Sequence, residues 1–437
     1  MNKLPLVRFG IALLLELIFF SALNFFDDWT LESMPIKFVT AAFLSGAAYL
    51  AAVSNFKIDI SPKKQAILFW SAAIVLRVIA LPLAPGDELI RKQWEGKIQH
   101  AGFNPYLLAP ADSKLDELRH DFPQAAKINH PELRALDPPG AELIFKFLSA
   151  ITDRPIFYKI LFALGDLCVA WLLLRLIAGE DRYQTASWYA WNPLVAYIFA
   201  GAAHSDSLMM VAMLAGILAV VRSTSARESR RQWLWALLAA LLLGIAISLN
   251  LFAAFALLVC VFALRTRAIT FLLTPFIPVL LSLPFGLKQV WQSLGEINQL
   301  PRLNDFFWWI VEAIQPNPHQ RVFHYYPILI VCVIAVSLLF MRNWERGLLW
   351  ALGTVLLLSP VLHAWYCVWI LPIAVWRRAY AWCVLAITLF SYYLFWDERL
   401  FALPWHAEPW MRGLIIAPVL AAMIMLSAQK RLEQAAG

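Results

Sequence analysis

Residues 85–106, PGDELIRKQWEGKIQHAGFNPY, begin a charged island that runs from Pro85 to Arg154. On both sides of this island the sequence is nearly continuously apolar. The whole chain is 61% hydrophobic, with a mean hydropathy of +0.66. In such a chain, a polar segment of about seventy residues is expected to lie outside the lipid. We therefore predict a polytopic membrane protein whose first large extracytoplasmic loop is 85–154, here called the first polar loop.

Composition excludes a soluble globular domain and a nucleic-acid-binding protein. Only 15% of the residues are charged, beside 20 Trp, 29 Phe and 12 Tyr, whereas soluble domains carry about a quarter charged residues. The net charge of +7 is spread in small groups between apolar segments and forms no basic patch, so no nucleic-acid partner is expected. The five cysteines lie in or beside apolar segments without C-x-x-C spacing, which predicts neither disulfides nor a structural zinc site.

Successive apolar runs predict an all-α bundle of about 11–14 transmembrane helices. The basic residues between alternate spans, from Lys57 to Arg431, lie on one side of the membrane. The positive-inside rule therefore places both termini in the cytoplasm. The first run is long for a signal peptide and lacks a clear cleavage site, so we interpret it as a retained span. The predicted spans are 6–26, 36–54, 65–84, 155–178, 184–203, 205–221, 233–249, 251–264, 268–286, 323–341, 347–361, 364–376, 379–396 and 411–427.

The domain organisation predicted from this pattern is a single membrane domain, 1–437, with two polar excursions. These are the first polar loop and a second extracytoplasmic loop at 287–322, here called the second polar loop. Within the first polar loop, 87–101 is predicted to form one short amphipathic helix and 114–119 part of another, both lying on the outer leaflet.

Polar and aromatic residues are gathered at the predicted outer ends of the spans. Polar groups at a membrane boundary are costly, so their gathering on one face predicts a shared functional site. Glu16, Arg77 and Asp166 are buried exceptions, which we expect to pair between helices; a role in transport is the alternative. The residues on the shared face are Asp87 and Glu88, His204 and Asp206, Asn250, Asn304 and Asp305, and His363, Trp365 and Tyr366.

The acidic pair at the start of the island has two interpretations. Asp87 follows Gly86 at a helix start, so it is a candidate general base and equally a candidate helix cap. Arg91 and Glu95 follow at i+4 and i+8, a spacing that also suits a solvated ion-pair ladder.

The His204-Ser205-Asp206 motif also has more than one interpretation. An imidazole and a carboxylate at a span end suit a phosphate, a sugar hydroxyl or a metal, but Ser and Asp there also cap a helix. A metal site needs further ligands, which only His363 or Asp305 would supply from a distance. No cofactor is therefore predicted with certainty, and a divalent cation is left open.

These motifs, in this order, resemble the GT-C superfamily of integral-membrane glycosyltransferases, in particular its bacterial polyprenol-phosphate-mannose-dependent mannosyltransferases. Each motif is short, but five in register on one membrane face make a specific signal. Two positions depart from the usual pattern: Asp137 stands before Pro138-Pro139 in place of Tyr, and Ser205 follows His204 in place of Asn. The resemblance rests on Asp87-Glu88, Arg91, Trp94-Glu95-Gly96, Gly102-Phe103-Asn104-Pro105-Tyr106, Trp191-Asn192-Pro193-Leu194, His204-Ser205-Asp206, Asn304-Asp305-Phe306-Phe307 and Ser359-Pro360-Val361-Leu362-His363-Ala364-Trp365-Tyr366.

The resemblance implies a transfer reaction at the outer face of the cytoplasmic (inner) membrane. A hexose, with mannose expected, would pass with inversion from a polyprenyl-phosphate donor to a hydroxyl of a glycolipid or glycan acceptor, with Asp87 as general base in a catalytic first polar loop. A polytopic transporter or lipid flippase is the rival hypothesis. Candidates for stabilising the departing phosphate are Arg302, Arg321, His204 and His363. The substrate-binding residues implied are Glu88, Arg91, Trp94, Asn104, Tyr106, His204, Asp206, Arg302, Asn304, Asp305, His363, Trp365 and Tyr366.

Overall fold

The computed structural model describes residues 4–28, 31, 33–57, 60–300, 302–314, 325–394 and 409–436. Throughout these ranges the regular structure is helical and no β-strand occurs, apart from one isolated parallel bridge between Leu303 and Val361. Most of the buried side chains belong to one large apolar core that the helices share. The predicted all-α polytopic fold is confirmed.

Most of the long apolar helices coincide with single predicted spans, but Ala253–Ser282 covers two of them, 251–264 and 268–286. Within the described ranges, six are long and apolar enough to cross a membrane: Pro5–Phe25, Met34–Asn55, Pro155–Leu176, Asp206–Ser225, Ser229–Leu249 and Ala253–Ser282. The helices Pro62–Ala80 and Trp344–Leu358 also lie on predicted spans. Shorter apolar helices cover the remaining predicted spans of the C-terminal part: Tyr325–Leu339, Tyr366–Trp376, Ala381–Leu394 and Trp410–Leu426, the last within Pro409–Ala436.

One predicted span, 184–203, is broken into three pieces. Arg182–Ala190 ends before Asn192-Pro193, because proline cannot donate a helical hydrogen bond. The Asn192 side chain then accepts bonds from the backbone N–H groups of Leu194 and Val195 and starts the short helix Pro193–Ala196. That helix continues as a π-helical turn at Tyr197–Gly201, a rare geometry that is frequent at functional sites.

Two of the three buried charged exceptions pair between helices, as predicted. The Arg77 guanidinium lies 2.7 Å from the Asp166 carboxylate, and the Tyr189 hydroxyl donates to the other oxygen of Asp166 at 2.7 Å. Glu16 is also fully buried, but none of the described residues hydrogen-bonds to its carboxyl oxygens. The Arg77–Asp166 pair therefore has a structural explanation within the bundle.

The first polar loop folds around a small core of its own. Its helices are Asp87–His100, Asp116–Asp121 and Pro139–Ile151; the first two were predicted and the third was not. Asp87–His100, here called the site helix, does not lie flat with one face open, because nine of its 14 residues are buried. Trp94 from this helix is fully buried and packs in a cluster with Ile98, Leu115, Phe122, Ala125 and Ile128.

The second polar loop packs against the first. Within its described part it forms the helices Leu287–Leu294 and Phe307–Ile314, with a 3-10 turn at Gly295–Gln299. The Arg134 side chain donates to the Glu296 carboxylate at 2.6 Å, and the Ser293 hydroxyl donates to the Ala135 carbonyl at 2.6 Å. Hydrogen bonds therefore join the first and second polar loops to each other.

Candidate active site

The site helix starts against the turn that carries His204. The Gly86 N–H donates to the Ala202 carbonyl at 2.9 Å. A β-carbon at Gly86 would lie 3.3 Å from that carbonyl oxygen and 3.7 Å from Nε2 of His204, so glycine permits this close approach. Asp87 follows as the first helical residue, with Gly86 rather than Asp87 at the cap position.

Asp87 is half-buried and both carboxylate oxygens have partners. Oδ1 accepts from the backbone N–H of Glu88 at 3.0 Å, and Oδ2 accepts from the side-chain amide of Asn129 at 3.3 Å. Asp87 therefore accepts a backbone hydrogen bond at the start of its own helix and also contacts Asn129 across the first polar loop.

His204 is presented by an irregular turn. After the π-helical residues, the His204 N–H donates back to the Ile198 carbonyl at 3.0 Å. Ala203 takes a left-handed φ of 63°, a conformation that costs energy for a residue with a β-carbon. The imidazole of His204 is thereby turned inward, where it is 5% exposed.

Three rings pack together near the start of the site helix, where His204 lies close to Gly86. The Trp365 ring packs against both imidazoles: its centroid lies 4.4 Å from that of His204, with the rings tilted by 33°, and 4.1 Å from that of His363, with the rings nearly parallel. The Tyr392 hydroxyl lies 2.9 Å from Nδ1 of His363, and Tyr366 meets His363 edge-on at 5.1 Å. Rings at these separations stabilise one another and form a preorganised surface.

Both imidazoles of the stack are neutral at physiological pH. Burial lowers the pKa of His204 to about 3, and the Lys92 ammonium and His363 add to the effect. Burial likewise lowers the pKa of His363 to about 3, with His130 contributing. A neutral imidazole donates one hydrogen bond and accepts one, so the stack offers directional polar contacts without a fixed charge.

Glu88 and Lys92 lie one helical turn apart on the same face of the site helix. Lys92 forms a salt bridge of 2.7 Å with Asp137. Burial lowers the pKa of Lys92, but the carboxylates of Asp137, Glu88 and Asp206 outweigh it and raise the pKa above its usual range. Burial raises the pKa of Glu88 to about 7, with Asp137 adding to the rise and Lys92 opposing it.

A second acidic group lies deeper in the first polar loop. Carboxylate oxygens of Glu95, Asp137 and Glu142 lie within 4.8 Å of one another, and burial raises the pKa of Glu142 well above its usual range. Glu95 is already paired with Arg91, and Asp137 with Lys92, so protein cations compensate two of the three carboxylates.

The residues that the sequence suggested as cation ligands do not form a comparable group. Across the described ranges, only Glu95, Asp137 and Glu142 form a group with metal-ligand spacing. Neither His363 nor Asp305 joins His204 and Asp206 in such a group. Asp206 instead accepts a hydrogen bond from the Asn250 side chain at 3.1 Å.

The second polar loop is joined to the His363 motif through its backbone. The Leu303 N–H donates to the Pro360 carbonyl at 3.0 Å, and the Leu362 N–H donates to the Leu303 carbonyl at 2.8 Å. Asn304 is buried with a left-handed φ of 52°, and its side chain donates to the Leu362 carbonyl at 3.4 Å. Two motifs nearly sixty residues apart are therefore adjacent.

Asp305 lies between two arginines. Arg302 approaches its carboxylate at 3.6 Å and Arg412 at 3.7 Å; Arg412 also donates to the Asp305 backbone carbonyl. Burial raises the pKa of Asp305, and the two guanidinium groups oppose this rise. Arg302 remains partly exposed, whereas Arg321, the other arginine considered for phosphate, lies outside the described residues.

Four of the residues implied by the resemblance point into the loop core. Trp94 is fully buried in its cluster. The Asn104 side chain donates to the Phe285 carbonyl at 2.8 Å, and the buried Tyr106 donates to the Asp137 carbonyl at 2.7 Å. All five N–H groups of Arg91 are used within the protein. This placement favours a positioning role for these four side chains.

The structure therefore gathers Asp87, Glu88, His204, His363, Trp365 and Tyr366 in one place, with Asp206 interacting electrostatically with Lys92. Lys92, Asn129 and Tyr392 were not identified from the sequence. Lys92 had a usable signal, its i+4 spacing from Glu88 on one helical face. Asn129 and Tyr392 carry no local signal, because only the tertiary fold brings them to the site.

The family comparison covers the first polar loop and the N-terminal half of this site, but not His363, Trp365 or Tyr366. The sequence profile of the MptA_B family, described as "Alpha-(1->6)-mannopyranosyltransferase, N-terminal domain", matches residues 34–266. That range is more than half of the chain and includes the site helix, His204 and Asp206. No curated protein and no solved structure gave a significant match. The chain thus belongs to the MptA_B family of alpha-(1->6)-mannopyranosyltransferases and is a mannosyl glycosyltransferase with an all-α membrane fold.

Proposed function

We propose that this chain is a GT-C type enzyme that transfers mannose from a polyprenyl-phosphate donor to a hydroxyl of a glycolipid or glycan acceptor. The reaction takes place at the extracytoplasmic face of the cytoplasmic membrane. The observation that supports this most is the meeting of Asp87 and Glu88 with the His204–Trp365–His363 stack, because motifs more than 270 residues apart converge beside one carboxylate pair.

In the proposed mechanism Asp87 is the general base. The acceptor oxygen attacks the anomeric carbon as its proton passes to the Asp87 carboxylate. The bond between that carbon and the phosphate oxygen breaks, and the polyprenyl phosphate leaves with the electron pair. Attack opposite the phosphate inverts the anomeric centre, so an α-linked product requires a donor in which mannose is β-linked.

We assign the stabilisation of the leaving phosphate to two imidazoles of the site and to one arginine of the second polar loop. His204 and His363 are neutral and offer N–H groups, and Arg302 supplies a partly exposed guanidinium. Fixed donors aimed at developing negative charge are among the strongest contributions to catalysis. Trp365 and Tyr366 offer aromatic faces to the sugar.

The membrane position of the site suits a lipid-linked donor. Asp206 starts one helix of span length, and Asp87 and His363 lie in the connections between apolar helices. The polyprenyl tail would remain in the bilayer while its phosphate reaches this level. The distribution of basic residues favours the outer face. The rival transport hypothesis loses two of its three candidate residues, since Arg77 and Asp166 form a salt bridge within the bundle.

The direct test is transfer of labelled mannose by the purified protein in nanodiscs. Polyprenyl-phosphate-mannose is expected to be consumed, and label to appear in an α-linked glycolipid or glycan. A nucleotide-linked mannose offered instead should give no product. Transfer from the nucleotide sugar alone, or flux of a lipid across vesicles without transfer, contradicts the proposal.

A further inference from the structure

We propose that Asn129 is a positioning residue for Asp87 and that Arg91 holds Asn129 in place. This inference rests on the proposed role of Asp87 as general base. It assigns functions to two side chains that do not themselves need to touch the substrate.

Both oxygens of the Asp87 carboxylate accept hydrogen bonds. Its Oδ1 is turned back to the Glu88 N–H at 3.0 Å, while Oδ2 receives the Asn129 amide at 3.3 Å. A carboxylate in its charged form only accepts hydrogen bonds, so a side-chain N–H directed at Oδ2 restricts its rotation. Asn129 therefore sets the direction in which the remaining lone pairs of Asp87 point.

The Arg91 guanidinium holds the backbone around Asn129 in place. Its two terminal nitrogens donate to four carbonyls, with distances of 2.7 to 3.2 Å. Its Nε donates to Glu95 at 2.9 Å. A planar guanidinium with five donors can bind four carbonyls at once, which an ammonium cannot match. The four carbonyls belong to Asn129, His130, Leu133 and Arg134.

The backbone is strained at the residue that follows Asn129. His130 has a left-handed φ of 45°, which is costly for a residue with a β-carbon. The segment is fixed on one side by Ile128, buried in the Trp94 cluster. On the other side it is fixed by Arg134, which is paired with Glu296 of the second polar loop. These contacts impose the unfavourable turn, and its consequence is that the Asn129 amide faces Asp87.

The test compares turnover and donor KM for Asn129→Ala and for Asn129→Asp, which has nearly the same shape but loses the N–H donor. Loss of a hydrogen bond to a charged group predicts a fall in kcat of about tenfold for the alanine variant. A larger fall is expected for the aspartate variant, because two carboxylates then face each other. KM for the donor should change less than about twofold, because ground-state binding is untouched. Asn298→Ala, an exposed asparagine in the second polar loop, is the matched control and should behave like wild type.

A double-mutant cycle with Asp87→Asn separates positioning from a general structural effect. If Asn129 acts through Asp87, adding Asn129→Ala to Asp87→Asn costs no further rate. Arg91→Lys should show the same non-additivity. Additive losses, or wild-type kcat in Asn129→Ala, overturn the inference.

Failure of this inference is distinct from failure of the proposed function. An inactive Asp87→Asn enzyme beside a fully active Asn129→Ala enzyme rejects only the positioning role. A fully active Asp87→Asn enzyme rejects the general base and the positioning role together.

Discussion

Lys92 and Asp137 form a salt bridge of 2.7 Å that ties the site helix to the segment before Pro138-Pro139. Asp137 stands where the family that the sequence resembles usually has tyrosine. A carboxylate at this half-buried position needs a cation, and Lys92 supplies it from the helix that carries Glu88. Lys92 therefore compensates the charge of the carboxylate at this position.

Replacing Lys92 by methionine should destabilise the protein and impair transfer. The change leaves the Asp137 carboxylate without its ion-pair partner and removes a cation that acts on Glu88. Because Asp137 is only half-buried, the loss should be smaller than the roughly 3 kcal/mol expected for a fully buried pair. Thermal unfolding in detergent measures the stability loss. Lys114→Met removes an exposed lysine of the same loop and should have little effect. Equal melting temperatures for both variants would contradict the compensating role of Lys92.

Glu88 should make stability depend on pH between about 4.5 and 7. Its folded pKa is raised to about 7 from an ordinary value of 4.5, so in this window the folded state holds a proton that the unfolded state has released. By linkage, this contribution to stability is complete below pH 4.5 and is lost as the pH rises through 7. Glu88→Gln should flatten the melting temperature against pH relative to wild type. Two parallel curves would show that Glu88 titrates normally.

The ring stack can be separated from its hydrogen bonds by two substitutions. His363→Phe keeps a flat ring against Trp365 but loses the contact with Tyr392. Trp365→Leu removes the stacking surface from both imidazoles. If the imidazole N–H stabilises the leaving phosphate, His363→Phe should lower kcat by roughly tenfold or more while the fold is kept. The leucine variant should lose donor affinity as well. A His363→Phe enzyme with wild-type kcat argues for a purely structural stack.

The topology is tested by cysteine labelling in intact cells. Ser113 in the first polar loop and Ser225 at the end of the helix Asp206–Ser225 are both exposed. Single cysteines at these positions, in a background without the native cysteines, should label from opposite faces, with Ser113 outside. Labelling from the same face would remove the argument for an extracytoplasmic site.

The membrane fold was predictable because long apolar runs leave little choice of structure in lipid. The predicted helix 87–101 also agrees with the site helix Asp87–His100. The break at Asn192-Pro193 was harder to place, because the apolar run continues through it, although proline was a usable warning. Pro139–Ile151 was missed because a short apolar run reads equally as an interfacial segment.

The candidate site was predictable only in part, for a physical reason. Residues such as Asp87 and His204 were found because polar side chains at span ends are unusual. The roles of Trp94 and Arg91 were not readable, since a motif does not tell whether its side chains point to a substrate or into the loop core. Asn129 lies in an ordinary polar stretch, and its importance follows from a contact with Asp87 across 42 residues.

The role of Asp87 as general base is tested by the turnover of purified Asp87→Asn with a polyprenyl-phosphate-mannose donor. The amide keeps the shape of the side chain but has no useful basicity at neutral pH, so we expect kcat to fall by roughly two or more orders of magnitude. Folding and donor binding should be unchanged. Asp121→Asn, at an exposed carboxylate of the same loop, is the matched control and should turn over normally. An Asp87→Asn enzyme with unimpaired turnover would contradict the assignment of Asp87 as the general base.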